Sequence, residues 1–463
     1  MEEGRSFDEE YTGGSSASAA ILLDSSDHDL KKEEEEIKNE LESKETDKWS
    51  WGLPNDILEM ILERLAFPDN LRFAAVCVPW KRVSVKRRQI PRYPWVMFSY
   101  TRQTKDFSLF SLLESRVYHI NIPWIEAGQC LGSCQGWILA SNPDPKHCFL
   151  FNPFSREAPI VELPYLNFWA GKNLYCWHSQ NFFHKVILSS SPTDPDCLVI
   201  AISDSYGLAY CKIGDNQWVI FKDIEEDDFG EDVVFYNGQV YALSENDHQL
   251  MVLDMKDPDL SGDEDFDPYL SQEEIFALYP RKEDISVCPF MEILDQELLF
   301  NDSSFFHTYL VQSEGSLLLV SRIYKHATVN LDDRDFFTWC ECGRKMFSRR
   351  HLQTVRFLVY KLECNPESSG DSTFRYNWVK QSRLGDNQVL FLGRSFCQSL
   401  STVECPGLKG NTIYFTDDGK IVLNPPQPRD MGIYHLHDGQ IEPLLPFDSS
   451  QFNGLPFWII PSV

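Results

Sequence analysis

Three groups of residues in this chain have side chains that could support chemistry. The first group is Gly132–Gly136, which has the spacing of a nucleophile elbow with Cys134 as the attacking residue. An elbow requires a strand, a sharp turn and then a helix, whereas this group precedes the β-rich run Trp137–Ala140. We therefore predict a tight turn between two strands here, and no catalytic role for Cys134.

The second group has side chains of the kind that bind zinc. It consists of Cys340 and Cys342, with His326 before them and His351 after them. Structural zinc sites use cysteines separated by two to four residues, and these pairs repeat along the chain. Cys340 and Cys342 do not have that spacing, so we expect ordinary strand or loop cysteines and no metal site.

The third group is His435 and His437, which alternate along a predicted strand and so share one face of it. We interpret them as packing or surface residues. The sequence contains no phosphate-binding loop and no dinucleotide-binding fingerprint. It therefore predicts that the protein is not an enzyme and that it uses no cofactor.

Charge is distributed unevenly along the 463 residues, whose formal net charge is −28. Residues 1–48 contribute −10, residues 49–98 contribute +4 and the remainder contributes −22. Nucleic-acid-binding proteins need clustered Lys and Arg to contact phosphates. The acidic body therefore predicts no nucleic-acid partner.

The cysteine pattern and the lack of targeting signals indicate a compartment. The 13 cysteines are an odd number without a regular framework, which favours a reducing environment. The first residues lack the basic-then-apolar order of a signal peptide, and no apolar run approaches the roughly 18 residues that span a bilayer. We expect no membrane partner and a location in the cytosol, the nucleus or both.

Composition divides the chain into three parts. Residues 1–48 are rich in Ser, Gly, Glu and Lys, and they predict a disordered acidic tail. Residues 49–92 have apolar positions at helical spacing, and they predict three helices. Residues 93–463 alternate β-rich runs with turn signals such as Asn237-Gly238 and predict an all-β domain. At roughly 50 residues for each kelch-like unit, that length suits a β-propeller of about six or seven blades.

Proline positions suggest where the three helices begin and end. Pro54 suits the first position of the first helix, where no N–H donor is needed. Phe67-Pro68 is expected to end that helix. Asp69 is then expected to cap the second helix, and Pro79 to open the third.

The helical part, residues 49–92, resembles the F-box, the module that docks on the Skp1 adaptor of cullin–RING ubiquitin ligases. It has the family's Leu53-Pro54 start, paired Ile-Leu positions in the first helix, and Val76-Cys77 shortly before Trp80. The resemblance implies that the module binds a Skp1-type adaptor through Leu53, Pro54, Ile57, Leu58, Ile61, Leu62, Leu65, Leu71, Val76, Cys77 and Trp80.

Interface energy is concentrated in a few aromatic or aliphatic anchors. The expected anchors here are Leu53, Pro54, Leu58, Ile61 and Trp80. Other residues of the apolar stripe must pack inside the module, and the sequence does not separate the two sets.

A basic cluster follows the tryptophan. Its members are Lys81, Arg82, Lys86, Arg87 and Arg88. Such a cluster suits a nuclear-import signal or a nucleic-acid contact. A solvated end of the third helix, favoured by the helix dipole, is the alternative.

The body carries a second resemblance, spread over short motifs that occur in order at residues 94–98, 130–139, 151–155, 160–164, 185–192 and 458–462. They are similar to a large plant F-box family whose C-terminal domain is of the KIB type. The resemblance implies a kelch-like propeller that captures a target protein.

Together the two resemblances imply a substrate-recognition subunit of an SCF-type ubiquitin ligase. The F-box would hold Skp1, Skp1 would connect to the cullin, and the propeller would present a target for ubiquitination and degradation. Two alternatives stay open: a Skp1-binding scaffold or inhibitor without ligase output, and a ligand-binding or hydrolytic propeller. The target-binding residues are not identified, although residues 257–274 and 326–352 are candidate contact regions.

Overall fold

The computed structural model of the protein forms two compact units, residues 1–88 and 89–463. The predicted acidic tail lies outside the described residues. The described residues are 53–62, 64–65, 67–74, 76–86, 93–99, 106–122, 125, 129–141, 147–155, 158–165, 183–203, 207–220, 229–244, 250–253, 282–283, 305–326, 337–339, 345–347, 352–364, 376–393, 395–417, 430–447 and 456–461.

The smaller unit contains three helices: α1 (Asn55–Leu62), α2 (Phe67–Ala74) and α3 (Val78–Lys86). Pro54 precedes α1, and its carbonyl oxygen accepts the N–H of Leu58 at 3.1 Å. Helix α2 begins at Phe67, so Asp69 lies in its first turn and not at its cap. The prediction that α1 ends at Phe67-Pro68 is therefore wrong, since α1 ends at Leu62 and these two residues begin α2. Proline fits the first turn of a helix because its nitrogen has no hydrogen and the N–H groups of that turn have no acceptor within the helix.

The larger unit contains strands that are numbered in chain order and grouped into sheets. The first sheet contains β1 (Trp95–Ser99), β2 (Asp106–Ser111), β3 (Arg116–Asn121) and β27 (Phe457–Ile459). The second contains β4 (Gln129–Cys134), β5 (Trp137–Ser141), β6 (Cys148–Phe151) and β7 (Val161–Glu162). The third contains β8 (Phe183–Leu188), β9 (Leu198–Ser203), β10 (Gly207–Lys212) and β11 (Val219–Ile220).

Three further sheets complete the unit. The fourth contains β12 (Phe229–Tyr236), β13 (Gln239–Ser244), β14 (Leu250–Leu253) and β15 (Lys282–Glu283). The fifth contains β16 (Phe305–Ser313), β17 (Ser316–His326), β20 (Leu352–Cys364) and β21 (Tyr376–Gln381). The sixth contains β22 (Gln388–Gly393), β23 (Phe396–Ser401), β24 (Thr412–Phe415), β25 (Gly432–His435) and β26 (Ile441–Pro443). A separate hairpin is formed by β18 (Phe337–Trp339) and β19 (Lys345–Phe347).

The six sheets form a closed ring. One strand of each sheet contacts the corresponding strand of the next: β4 contacts β8, β8 contacts β12, β12 contacts β16, β16 contacts β23, and β23 contacts β27. The contact of β27 with β4 closes the circle. This arrangement is a six-bladed β-propeller, which confirms the predicted fold and gives the lower of the two blade numbers.

The last strand closes the first blade. Strand β27 pairs with β1 in antiparallel register, with Ile459 opposite Trp95. Trp458 is fully buried, and its indole N–H donates to the carbonyl of Leu392 in the sixth blade at 2.9 Å. Residues near the two ends of the domain thus hold one sheet together.

The inner strands of the blades are buried on both faces, because each sheet packs between two others. All residues of β5 and of β22 are buried. One core cluster joins Leu139 of the second blade to Val186 and Val199 of the third. Burial on both faces explains why these strands appear in the sequence as continuous apolar runs.

Candidate functional site

Helix α1 carries apolar side chains on two sides. With 3.6 residues per turn, Leu58 and Leu62 fall on one side, Met60 falls on another, and Ile57 and Ile61 lie between them. A helix with one solvated side normally shows a single apolar stripe. Helix α1 therefore has more apolar surface than the packing of its own unit requires.

The inward side of α1 forms a small core. Leu58 and Leu62 are buried against Phe73 of α2 and Val83 of α3. The ring of Trp80 packs on that of Phe73, with the ring centroids 4.4 Å apart. These contacts hold the three helices together.

Large apolar side chains on the outside of the unit face solvent. We call them the exposed apolar set, and their exposed fractions are 41 % for Leu53, 41 % for Ile57, 46 % for Met60, 59 % for Val76 and 54 % for Val78. In the far larger propeller, the described residues include only seven such side chains. Burying one side chain of this size gains about 1.5–3 kcal/mol, so contact with a partner would stabilise this surface.

The structure sorts the predicted adaptor-binding residues by exposure. The exposed ones are Leu53, Pro54, Ile57 and Val76. The partly buried ones are Ile61, Leu65, Cys77 and Trp80. Leu71 lies in α2, and its side chain is outside the described residues.

Leu58 and Leu62 are core residues of the unit, at 2 % and 5 % exposure. Leu58 is expected to be an anchor of the adaptor interface and that role stays a prediction, but within the unit its side chain packs in the core. The reason is geometric: Leu58 is one position after Ile57, a rotation of about 100° around the helix axis, which takes its side chain inward.

Sequence reasoning missed two members of the exposed apolar set, Met60 and Val78. The spacing of Met60 offered a signal, because it lies three residues after Ile57 and is its neighbour on the surface of the helix. Val78 begins α3 next to Pro79, and nothing in the local pattern separates it from a core residue.

Part of the predicted basic cluster lies on α3. Lys81 and Arg82 are exposed, and Lys86 is the last residue of the helix. Arg87 and Arg88 lie outside the described residues. Helix α3 therefore presents at least two cations to solvent.

The elbow-like residues of the propeller form a hairpin turn, as predicted. Strand β4 ends at Cys134, and β5 begins at Trp137. Gln135 and Gly136 between them have φ values of 50° and 85°, which suit a two-residue hairpin turn. Burial raises the pKa of the Cys134 thiol to about 11, so the thiol is protonated near neutral pH and is a poor nucleophile.

The other predicted ligand-type residues have separate outcomes. Cys340, Cys342 and His351 lie outside the described residues. His435 is buried and lies 3.1 Å from a carboxylate oxygen of Glu442, while His437 is exposed. In the described ranges, no cluster of three or more His, Cys, Asp or Glu residues could hold a metal ion. No helix there is long and apolar enough to cross a membrane.

A buried ion pair joins the blades, and sequence reasoning did not find it. Lys185 of β8 bonds to Asp232 of β12, and both side chains are buried. The second carboxylate oxygen of Asp232 accepts the N–H of Leu310 in β16 at 2.6 Å. The sulfur of Cys397 in β23 lies 3.9 Å from that oxygen. One carboxylate of the fourth blade thus contacts residues of the third, fifth and sixth blades.

Charge pairing outweighs burial at this site. Desolvation is the largest single effect and lowers the pKa of Lys185, but the charge and hydrogen bonding of Asp232 and Cys397 together leave that pKa above its ordinary value. Burial raises the pKa of the Cys397 thiol to about 12. The lysine is therefore charged and the thiol neutral at physiological pH, which is an arrangement for structure and not for nucleophilic attack.

A second buried group, which we call the Arg322 cluster, joins the fifth and sixth blades. The guanidinium of Arg322 is fully buried, and it donates to Thr354 Oγ1 at 2.7 Å, to the carbonyl of Thr416 at 2.8 Å and to Asp430 Oδ2 at 3.0 Å. Asp430 also accepts the N–H of Thr354 at 3.0 Å. The far ends of β17 and β20 are thereby attached to the residues that precede β25.

Both units match known protein families. A family model described as the KIB1-4 beta-propeller matches residues 109–435. A second model, described as the F-box domain, matches residues 51–89. The helical unit with its exposed apolar set thus coincides with the second match.

Curated proteins similar to this chain come from Arabidopsis thaliana. One F-box/kelch-repeat protein is 26 % identical over 407 residues, which cover 84 % of this chain and 90 % of that protein. An F-box protein is 27 % identical over 202 residues, which cover 42 % of this chain and 51 % of that protein. The chain therefore matches about half the length of this second relative.

Among solved structures, the N-terminal domain of Nup159 aligns with 76 % of this chain and 73 % of its own, at 8 % identity and a TM-score of 0.28. With so low a TM-score, this alignment supports no conclusion about the fold or the function of the chain. The first family model, in contrast, spans well over half of the chain. The chain therefore belongs to the KIB1-4 β-propeller family, and it carries an F-box domain ahead of the propeller.

Proposed function

We propose that this protein is the substrate-recognition subunit of an SCF-type ubiquitin ligase. The F-box domain binds a Skp1-type adaptor, the adaptor connects to the cullin, and the propeller binds a target protein. The chain performs no bond chemistry itself. It raises the effective concentration of target lysines near the enzyme that carries ubiquitin. The exposed apolar set of the F-box domain is the observation that carries this proposal.

Energetic reasoning supports an interface at this set. Burial of the exposed half of five such side chains would supply roughly 4–7 kcal/mol. Association costs an estimated 4–15 kcal/mol in lost freedom, so the set is sufficient only with further contacts. The partly buried Ile61 and Trp80 are available to add to it.

Binding to a purified Skp1-type adaptor tests the first step. The full chain and the adaptor, mixed at micromolar concentration, are expected to elute together from a sizing column. Ile57→Glu with Met60→Glu should abolish co-elution, because it buries two unpaired charges in an apolar interface.

The matched control is Leu113→Glu with Val403→Glu, which places the same charges at propeller side chains that are 55 % and 71 % exposed. This control should co-elute as the native chain does. Separate elution of the native chain and the adaptor would contradict the proposal.

Target abundance separates a receptor from a scaffold or inhibitor. Loss of a receptor should raise the level of its target and make that level insensitive to proteasome inhibition. Under the scaffold hypothesis, the adaptor binds but the target level does not respond.

We propose a location in the cytosol, the nucleus or both, supported by the exposed Lys81 and Arg82 on α3. A fluorescent fusion of the full chain with Lys81→Ala and Arg82→Ala should show a smaller nuclear fraction than the unsubstituted fusion. An unchanged distribution would assign these cations to the solvated end of the helix.

A further inference from the structure

The two most exposed large apolar side chains of the described propeller lie on neighbouring blades. Val403 is 71 % exposed, and Leu113 is 55 % exposed. Leu113 lies in the turn between β2 and β3 of the first blade, and Val403 lies in the connection from β23 to β24 of the sixth. These blades are neighbours in the ring, because β23 of the sixth contacts β27 of the first.

The turn of the first blade touches the connection of the sixth. The Cδ1 atom of Leu113 lies 3.6 Å from the position that a Cβ on Gly407 would take. The hydroxyl of Tyr93, which precedes β1, donates to the carbonyl of Pro406, and Pro406 is itself exposed. We call Leu113, Val403 and Pro406 the Val403 patch. Exposed apolar residues that lie together, unlike those scattered singly, favour contact with a partner.

The connection that carries Val403 is held by hydrogen bonds. The N–H of Thr402 donates to the carbonyl of Asn387 at 2.8 Å, and the N–H of Cys405 donates to the carbonyl of Ser401 at 2.9 Å. The N–H of Val403 itself donates to Ser401 Oγ at 3.2 Å. A surface that is already ordered loses less conformational entropy when it binds a partner.

A carboxylate without a counter-charge lies next to the patch. Glu404 is exposed, and no cation among the described residues pairs with it. The nearby cations are engaged elsewhere: Lys409 and Arg383 each pair with another carboxylate, and Arg116 lies over the ring of Tyr118. A cation on the partner would therefore supply the missing counter-charge of Glu404.

Charge disfavours two other occupants of the patch. A second copy of the chain has the same net charge of −28, so two copies repel each other. Residues 1–48 of the same chain contribute −10 and would add negative charge beside Glu404. A separate partner with a basic residue is favoured over both.

We propose that the Val403 patch binds a segment of a partner protein that has apolar side chains and at least one Lys or Arg. The inference rests on the proposed function only in taking this partner to be the target of the ligase. Peptide binding is measured without any adaptor, so its failure and the failure of adaptor binding are separate results.

Fluorescence anisotropy of the full chain tests the patch, with a fluorescein-labelled peptide of repeated Leu-Leu-Lys as the probe. The test variant is Leu113→Ser with Val403→Ser. The matched control, Val355→Ser with Val379→Ser, removes two apolar side chains of the fifth blade that are each 39 % exposed. We expect Kd to rise about tenfold or more in the test variant and less than about twofold in the control.

A charge variant tests the role of Glu404. Glu404→Lys should raise Kd for the same peptide about fivefold at low salt and less at high salt, because salt screens exposed charges. The matched control is Glu363→Lys, at a carboxylate of the fifth blade whose side chain is 46 % exposed. It should change Kd less than about twofold, and equal weakening by these two variants overturns the proposal.

The conservative variant Leu113→Ile with Val403→Leu keeps the apolar surface and should bind as the native chain does, which separates loss of this surface from loss of folding. Absence of peptide binding by the native chain, or equal weakening by the two serine variants, overturns the proposal. A native dimer that the test variant converts to a monomer overturns it in favour of a second copy. A gain in peptide affinity after removal of residues 1–48 overturns it in favour of an intramolecular occupant.

Discussion

The F-box domain and the propeller use apolar side chains in different ways. In the propeller every sheet has neighbours on both faces, and a strand such as β22 is buried at each position. In the F-box domain, α1 buries Leu58 and Leu62 but leaves Ile57 and Met60 in solvent. A closed ring of sheets can bury its own apolar surface, whereas three short helices cannot. Surplus apolar surface on a small unit therefore points to an external partner.

The largest expected effect comes from opening the ring. Ending the chain at Leu455 removes β27 and with it the buried Phe457, Trp458 and Ile459. At about 1.5–3 kcal/mol for each side chain, the loss approaches the whole stability of a typical domain, about 5–15 kcal/mol. Urea unfolding followed by circular dichroism should lose its cooperative transition. Removal of residues 462–463 alone is the control, and a truncated chain with the native midpoint would contradict the closed ring.

A smaller loss is expected from unpairing the buried charge between blades. Asp232→Asn leaves the Lys185 ammonium buried without its counter-charge, at a cost of about 3–5 kcal/mol. The double variant Lys185→Met with Asp232→Asn should recover more than half of that loss. Urea unfolding measures both variants, and a double variant no more stable than the single one would show that charge is not the cause.

Two adjacent residues of α1 sharpen the comparison within the F-box domain. Leu58→Ala should destabilise this domain by about 2–5 kcal/mol, because it creates a core cavity. Ile57→Ala should change its stability by less than about 0.5 kcal/mol, because the side chain is exposed, but it should weaken adaptor binding. Hydrogen exchange of peptides from residues 53–86 reports stability, and titration with the adaptor reports binding. Equal protection in the two variants would contradict the assigned helix orientation.

The smallest expected effect is on the pH dependence of the propeller. Burial raises the pKa of Cys397 to about 12 and that of Cys134 to about 11, from 9.0. Because the folded-state pKa exceeds the unfolded one, the stability is fully present below about pH 9 and falls as pH rises through these values. Urea midpoints should be level from pH 7 to about 8.5 and then decline. A midpoint that rises above about pH 9 would contradict the direction of both shifts.

Two other thiols, one in each unit, compare the packing of the F-box domain with that of the propeller. At pH 8, Cys77, which is partly exposed, should react with iodoacetamide well before the fully buried Cys211, whose pKa burial raises. Mass spectrometry of the alkylated peptides measures the order, and equal rates would contradict the difference in packing.

Much of the fold could be predicted from the sequence because its signals are local. Proline and apolar spacing predicted three helices, although Pro68 opened α2 and did not end α1. Apolar runs predicted strands such as β5, and Gln135-Gly136 formed the turn expected there. These features depend on neighbours a few residues apart, where backbone preference and periodicity carry the information.

The tertiary structure decided what depends on residues far apart in the chain. It selected Leu58 for the core and Ile57 for the surface, although both are apolar and adjacent. It brought β27 beside β1, placed β24 parallel to β22, and paired Lys185 with Asp232 across two blades. Sequence patterns specify which side chains need burial or pairing, but the partner is set by the packing of the whole ring, since hydrophobic attraction has no direction of its own.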